Sequence, residues 1–369
     1  MDKILYIDFE TLKNIMRDCL IGAGVPAPDA EICADVLICA DKLGIDSHGI
    51  GRLKPIYIDR IRAGIQHPVT QIEYLRQTPT TAVIDGHDGM GMVIAREAMQ
   101  HAIDNARKFG MGMTAVRNST HFGIAGYYGL MAAENGMIGI VGTNARPSIA
   151  PTFGVENMLG TNPLTFVMPT DEPFPFFLDC ATSVSQRGKI EVYDRINKEL
   201  PAGWVIDVNG NDRTDTHQIL EDLVAGKAAL APLGGTGDEH AGYKGYGYAT
   251  VVEILSAALQ QGAFLKALNG YDAAGKRMPY HLGHFFIAID VEAFMGLDEF
   301  KHTTGEILRA LRASRKAPGH DRIYTAGEKE YLIKCEREKT GVPVNEPLQK
   351  ILIELCGDYK LTQYDYLFK

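Results

Sequence analysis

Two histidines of this chain lie in short, glycine-rich segments: His48 in Asp46-Ser47-His48-Gly49-Ile50-Gly51-Arg52, and His121 in Asn118-Ser119-Thr120-His121-Phe122-Gly123. Histidine has the side-chain pKa nearest to cellular pH and is the usual proton donor or acceptor. Arg52 stands four residues beyond His48, and a guanidinium holds a carboxylate by two parallel hydrogen bonds. A base beside such a clamp suits removal of the hydroxyl proton of a 2-hydroxy acid as hydride leaves the same carbon. The plain alternative is that His48 lines a loop, Arg52 makes a surface ion pair and His121 caps a helix. The surrounding glycines, which let backbone approach a ligand closely, weigh toward chemistry. A third cluster joins Leu159-Gly160-Thr161-Asn162-Pro163 to Leu178-Asp179-Cys180-Ala181-Thr182-Ser183, tight turns of the kind that offer backbone N–H groups to a phosphate or an amide.

The elements that must position these groups are read from apolar periodicity. Leu12, Ile15, Met16, Cys19 and Leu20 recur at helical spacing, as do Ile32, Cys33, Val36, Leu37 and Ala40, so the first 45 residues read as a helical hairpin. Pro55 would clash with the carbonyl of Gly51 if a helix began earlier, so the next helix is expected to start near Arg52–Lys54. Ser47–Gly51 is then a loop, and Arg52 stands at the positive end of a helix with free N–H groups around it. From Thr80 to Met168 short apolar runs bounded by glycines (TTAVIDG, GMTAVRNS, GMIGIVGTN, PLTFVMP) read as strands, with helices over Val93–Phe109 and Tyr127–Asn135 between them. His121 falls where a strand gives way to a helix, a favoured place for ligands. Thr250–Gln260 reads as a helix, and the tail from Gly296 is charged and helical. The expected organisation is a helical segment over 1–75, a cofactor-binding α/β domain over 76–295, and a helical segment over 296–369 that packs with the first.

Bulk properties narrow the partners. At 369 residues and 46% hydrophobic content, two lobes are expected. The net charge of -9 arises from interspersed acids and bases, which argues against nucleic acid or an anionic membrane and for a small diffusible substrate. The six cysteines form no C-x-x-C pair or metal spacing and read as reduced thiols of a cytoplasmic protein. The acidic N-terminus lacks a signal-peptide h-region, and no stretch reaches the roughly 18 apolar residues of a membrane helix. No metal is expected: Asp207–Asp215 fails calcium-loop spacing, and His281 and His284 run directly into a strand.

Taken in order, DSHGIGRL (46–53), DGHDGMGMVIAREAM (85–99), NSTHFGIAGYY (118–128), GTNP (160–163), LDCATS (178–183), LPAGWVID (200–207), APLGG with KGYGYATVVEIL (231–255), GHFFIAID (283–290) and AGEKEY (326–331) resemble the malate/L-lactate dehydrogenase family, which also holds ureidoglycolate dehydrogenase, sulfolactate dehydrogenase and 2,3-diketogulonate reductase. The resemblance implies an α+β fold that is not Rossmann, with the nicotinamide cofactor on a largely antiparallel sheet, and a homodimer. The sequence agrees: Gly86, Gly89 and Gly91 lack G-x-G-x-x-G spacing.

It implies further that His48 or His121 is the proton donor and acceptor, with His48 preferred. Arg52 clamps the substrate carboxylate, with Ser47 and Asn144 beside it. Phe177, Leu178, Asp179, Cys180, Ala181, Thr182, Ser183, the pair Tyr243-Lys244, and Gly327-Glu328-Lys329 would contact NAD or NADP. Two departures from the family pattern are Ala326, where proline is common, and the longer stretch GTGDEHAGYKG (235–245), which bears on how Lys244 reaches the cofactor. Malate and oxaloacetate are the expected pair. Lactate, sulfolactate, ureidoglycolate and cyclic imino acids are alternatives, as is a non-catalytic cofactor-binding dimer.

Overall fold

The computed structural model describes residues 4–369. The chain opens with β1 (Leu5–Ile7), α1 (Phe9–Gly22) and α2 (Ala27–Lys42), then a 3-10 turn (Ile50–Arg52), a π-helical turn (Leu53–Ile58) and α3 (Asp59–Arg62). The central part runs β2 (Glu73–Gln77), β3 (Thr81–Asp85), α4 (Gly91–Phe109), β4 (Met111–Ser119), α5 (Ala125–Glu134), β5 (Met137–Thr143), β6 (Leu164–Met168) and β7 (Phe176–Cys180). There follow α6 (Arg187–Arg195), β8 (Val205–Asp207), α7 (Thr216–Ala225), β9 (Ala228–Leu230), α8 (Gly242–Ala257) and β10 (Leu282–Asp290). The chain ends with α9 (Leu297–Ala313), α10 (Glu328–Thr340), β11 (Val342–Val344) and α11 (Glu346–Asp358).

The main sheet has seven strands in the order β2-β3-β4-β10-β5-β6-β7. Only β3 and β4 pair in parallel; every other neighbouring pair in it is antiparallel. A largely antiparallel sheet leaves no doubly wound crevice, so the site must be built from loops at its rim. Because side chains alternate across a strand, β10 serves two layers. Phe286 and Ala288 join Ile94, Ala98, Met99 and Ala102 of α4 in one core, while Gly283 lies against the Ser256 carbonyl of α8. A smaller core of Ile190, Leu200, Val205, Ile219 and Leu230 holds α6, α7 and the β8–β9 ribbon.

A separate core joins the two ends of the chain. Leu12, Ile15, Met16, Leu20, Val36 and Leu37 of the α1–α2 hairpin pack with Val342, Val344, Leu352 and Leu355, and β1 pairs antiparallel with β11. Each such aliphatic side chain contributes about 1.5–3 kcal/mol on burial. The C-terminal segment is divided, however. α9 is tied to the sheet layer, with Arg309 2.8 Å from Asp171, Arg312 2.7 Å from Glu172 and Leu297 packed on Gly136. Only α10, β11 and α11 go with the N-terminal hairpin.

Two helix boundaries differ from the sequence reading. Across Pro55, which has no N–H to donate, the chain takes π spacing before α3 begins. α8 starts at Gly242, well before Thr250, because its glycines permit close packing. A Cβ on Gly245 would lie 2.2 Å from the Leu233 carbonyl, so tertiary contact outweighs the poor helix propensity of glycine there.

Candidate active site

The His48 loop is built from below. Asp41, at the end of α2, is 1% exposed, and its Oδ2 accepts the Ile50 N–H at 2.8 Å. Gly49 lies so close that a Cβ would meet the carboxylate at 1.9 Å, so only glycine fits. Arg337 of α10 donates to the Asp41 carbonyl and grips Asp46 through both Nη atoms, at 2.6 and 2.9 Å. Burial pushes the Asp41 carboxyl up to about 8, against the Ile50 hydrogen bond, which lowers it.

This arrangement corrects one expectation. Arg52 does not stand among free helix N–H groups: the Ile50 N–H goes to Asp41, the Arg52 N–H to Gly49 O at 2.9 Å, and the Leu53 N–H to Ile50 O. What remains for an anion is the guanidinium itself. Its Nε donates to the Ser47 carbonyl, and its Nη groups have no protein partner among the described residues.

His48 and His121 come together. Their rings stack with centroids 5.7 Å apart and planes 20° from parallel. His48 Nδ1 lies 2.8 Å from Ser47 Oγ. His121 Nδ1 accepts the Gly123 N–H at 3.2 Å and is 2.7 Å from the hydroxyl of Tyr57, which is fully buried. Burial, and then the charge of Arg52, lower His48 to about 4. Burial drives His121 well below the usual imidazole value, followed by the charges of His48, Arg60 and Arg52. Both imidazoles are therefore neutral near pH 7.

A cleft of about 570 Å³ opens beside His48, lined by Ser47, Gly123–Ala125, Thr161, Pro163, Phe177, Asp179, Ala181, Gln186, Lys189 and Glu330. His121 and Arg52 adjoin it through His48 and are not on its walls. A second cavity, of about 440 Å³, shares Phe177 and Glu330 with it and is closed by Phe174, Gly327, Tyr331 and Lys334.

The residues expected to hold the cofactor divide sharply. Phe177, Asp179 and Ala181 face the cleft, and Asp179 is set by the Gly126 N–H and the Thr165 hydroxyl, each at 2.8 Å. Leu178 and Cys180, alternating with them on β7, are exposed on its other face. Thr182 and Ser183 are buried, their hydroxyls given to Asn162 O at 2.9 Å and Ser185 O at 2.7 Å. Gly327 backs onto Phe177 with φ 93°, while Glu328 is committed to Arg322 and the Thr325 N–H, and Lys329 lies over the Tyr324 ring. Despite Ala326, this loop is held to β7, since the Ala326 carbonyl accepts the Phe177 N–H at 3.3 Å.

Tyr243 and Lys244 lie on the exposed first turn of α8 and do not line the cleft. The long 235–245 stretch folds back on that turn, with Gly242 against the Gly235 carbonyl. Asn144 is also placed elsewhere than expected. It is fully buried, Nδ2 donating to Ala263 O at 3.1 Å and Oδ1 accepting the Gly283 N–H at 2.8 Å, so its amide ties the start of β10 and is not available to a substrate.

Three participants are absent from the sequence reading: Tyr57, Asp41, and the cleft-facing start of α6 with Gln186 and Lys189. A signal existed for two. Asp41 is an acid inside an apolar helix stripe, at the helix end that disfavours it, and Tyr57 is a tyrosine on a core face, whose hydroxyl needs a partner. Nothing in the sequence brings α6 to His48.

The cleft fits a nicotinamide cofactor. Its size is in the range of roughly 300–1,000 Å³ usual for such sites. Lys189 and the first turn of α6 suit a phosphate, and the buried Ser185 Oγ beside Gln186 has no partner among the described residues.

The malate/L-lactate dehydrogenase family matches residues 7–352 of the chain. Malate dehydrogenase of Pyrococcus horikoshii is 44% identical over 336 residues, covering 91% of this chain and 89% of that one. L-sulfolactate dehydrogenase of Methanocaldococcus jannaschii is 38% identical over 97% of this chain and 98% of its own. The crystal structure of malate dehydrogenase from Entamoeba histolytica superposes with a TM-score of 0.93 at 45% identity, covering 97% of this chain and 99% of that chain. With its histidine pair, its largely antiparallel sheet and these likenesses over nearly its whole length, the chain belongs to the malate/L-lactate dehydrogenase family.

Proposed function

We propose that this 2-hydroxy acid dehydrogenase interconverts malate and oxaloacetate, with NAD as its cofactor and NADP as the alternative, in the cytoplasm and as a homodimer. The observation that carries the reading is the stacked pair His48–His121, of which His48 lines the cleft, with the charge of Arg52 bearing on both rings. The choice of malate leans on the 44% identity to the Pyrococcus horikoshii enzyme.

The residues divide the chemistry. In the tautomer that carries its proton on Nδ1, 2.8 Å from Ser47 Oγ, His48 presents the Nε2 lone pair and takes the hydroxyl proton of the substrate. Being neutral at pH 7, it is in the form that can accept that proton. Arg52 receives the 1-carboxylate, which cancels the charge that depresses His48, so the base strengthens as substrate binds. His121, its Nδ1 occupied as an acceptor, holds its proton on Nε2 and polarises the developing carbonyl as a neutral donor. Phe177, Asp179, Ala181, Gln186 and Lys189 would hold the nicotinamide cofactor, which would supply hydride acceptance from the substrate carbon.

The homodimer is supported by an apolar face around α8, where Tyr248, Val251, Ile254, Leu259 and Phe264 are about half exposed beside a groove lined by Leu159 and Tyr246. The cytoplasm is supported by six cysteines that are all free. Among the described residues no helix is long and apolar enough to cross a membrane.

The deciding experiment is reduction of oxaloacetate, pyruvate, 3-sulfopyruvate and a cyclic imine with NADH and with NADPH. Oxaloacetate with NADH is expected to show the highest kcat/KM. Cofactor binding without turnover of any of them would mark a silent binding protein instead.

A further inference from the structure

Away from the histidines, α8 carries a buried acid that the proton-transfer chemistry does not use. Glu253 is 6% exposed and is the sole carboxylate on the wall of the apolar groove beside α8, with no cation paired to it among the described residues. A charge taken out of water without a counter-ion is costly, and an aliphatic side chain would suit that groove better. Glu253 is held instead by N–H groups from two loops. Its Oε1 accepts the Leu265 N–H and its Oε2 accepts Asn162 Nδ2, each at 2.8 Å. Both oxygens accept and neither donates, the pattern of an ionised carboxylate. Burial pushes this carboxyl up, and the bonds from Leu265 and Asn162 draw it back.

Both partners have unusual backbone. Asn162 has φ 36° and Leu265 φ 49°, left-handed values that non-glycine residues keep only where the surroundings over-determine them. The Asn162 turn also reaches the cleft, since its neighbours on either side, Thr161 and Pro163, line it. From the end of β7, Thr182 closes on the same turn, its N–H given to Thr161 O and its hydroxyl to Asn162 O, each at 2.9 Å. Ala181, which also lines the cleft, directly precedes Thr182. Asn162 itself is fully buried and its amide faces α8, with Nδ2 shared between Glu253 and Ala249 O, the latter at 3.0 Å. Its Oδ1 has no partner among the described residues, so the turn forgoes one hydrogen bond to keep its donor on α8.

We propose that Glu253 is a positioning residue for the cofactor: by fixing the Asn162 amide to α8, it sets where Thr161 and Pro163 stand in the cleft wall. This rests on the reading of that cleft as the nicotinamide site. Glu253 touches neither cofactor nor substrate. The Leu265 N–H holds the carboxylate still, and its effect on the cleft runs through Asn162.

The test is calorimetric titration of the wild type, Glu253→Gln, Glu253→Asp, Asn162→Ala and the double variant Glu253→Gln/Asn162→Ala with NADH and NADPH, beside melting temperature and kcat at saturating cofactor. In Glu253→Gln an amide N–H meets the Asn162 N–H, so the Asn162 amide must turn over and leave Ala249 O. That variant is expected to bind the preferred cofactor about 10-fold more weakly, since hydrogen bonds to charged groups are the strong ones, while kcat at saturation falls by no more than about threefold. Asn162→Ala is expected to match it. The double variant should stay within about threefold of either single one, because residues acting through one shared contact do not add. A loss of about 100-fold in the double variant, the product of two independent effects, overturns the proposal. A lowered melting temperature with unchanged cofactor affinity overturns it too, that being the signature of a merely structural acid. Should Glu253→Gln fail to fold, Glu253→Asp decides, because it keeps the charge at shorter reach: a Kd raised about threefold supports the proposal and the wild-type Kd overturns it. If the wild type binds neither cofactor, the reading of the cleft itself fails, an outcome distinct from normal wild-type binding that the variants leave unaltered.

Discussion

The two histidine loops are alike in composition and differ in what they hold still. Around His48 it is the backbone that is fixed, by Asp41 from α2 beneath it and by Arg337 from α10 beside it, while the imidazole, stacked on His121, has among the described residues only the Ser47 hydroxyl as a hydrogen-bond partner. Around His121 both are fixed. Thr120 Oγ1 accepts the Gly91 N–H at 2.9 Å and donates to Gly89 O at 2.8 Å, and the ring itself is held by Tyr57 and Gly123. A ring free at one nitrogen can change protonation state during a reaction. A ring whose Nδ1 faces a backbone N–H is held in one tautomer, suited to donating a hydrogen bond throughout.

The sharpest way to break this contrast is to remove each ring. His48→Ala and His121→Ala are each expected to lose on the order of 10²–10⁴ in kcat. Only His48→Ala should remove the acid limb of the pH profile for malate oxidation. If His121→Ala removes that limb and His48→Ala leaves it intact, the two roles are exchanged.

Arg52→Ala should lower kcat/KM for the acid by about 30-fold or more, since truncating one partner of a buried charge pair costs roughly 2–5 kcal/mol, with Arg52→Lys intermediate and cofactor affinity nearly unchanged. The same variant reports on His48. Arg52 is one of the two causes that lower His48 to about 4, so without it the acid limb of kcat/KM should move to higher pH. A collapse of cofactor affinity with KM for the acid intact would place a phosphate at Arg52.

Tyr57→Phe deletes the hydroxyl on His121 while keeping the ring in the core. A hydrogen bond of this kind contributes about 0.5–1.5 kcal/mol, so kcat should fall by roughly 3–10-fold with little change in KM or melting temperature. An unaltered kcat would show that Gly123 alone orients His121.

The smallest effect on catalysis is expected from Asp41→Asn, which can still accept the Ile50 N–H, and its signature lies in stability against pH. The Asp41 carboxyl is raised from 3.8 to about 8 by burial, so its contribution to stability is fully present below about 4 and is lost as pH rises through about 8. Asparagine does not ionise. Thermal melts from pH 5 to 9 should show the wild type losing more stability across that window than the variant. Parallel curves would mean that Asp41 does not titrate there.

The chemistry-bearing loops were legible in sequence because glycine and histidine in a short run are local signals. The strands from Thr81 to Met168, the α1–α2 hairpin and the paired motifs around His48 and His121 all follow from spacing of apolar residues and turns, which needs no knowledge of distant contacts. The residues that proved otherwise committed, Asn144 on Ala263 and Gly283 and Glu328 on Arg322 and Thr325, carry side chains whose partners lie in other parts of the fold or across a turn. Lys244 was likewise displaced, by the packing of the 235–245 stretch onto the first turn of α8.

By itself, the sequence determined the helical ends, the run of strands between them and the two histidine loops proposed to transfer the proton, since these depend on residue type and near neighbours. Tertiary structure alone decided that Asp41 and Arg337 hold the His48 loop, that Tyr57 orients His121 and that the start of α6 faces the cleft. Each of these is a pairing of polar groups distant in the chain or set by how helices turn toward one another. A polar side chain takes whichever partner the packed core leaves within hydrogen-bond or charge reach, and no local pattern encodes that choice.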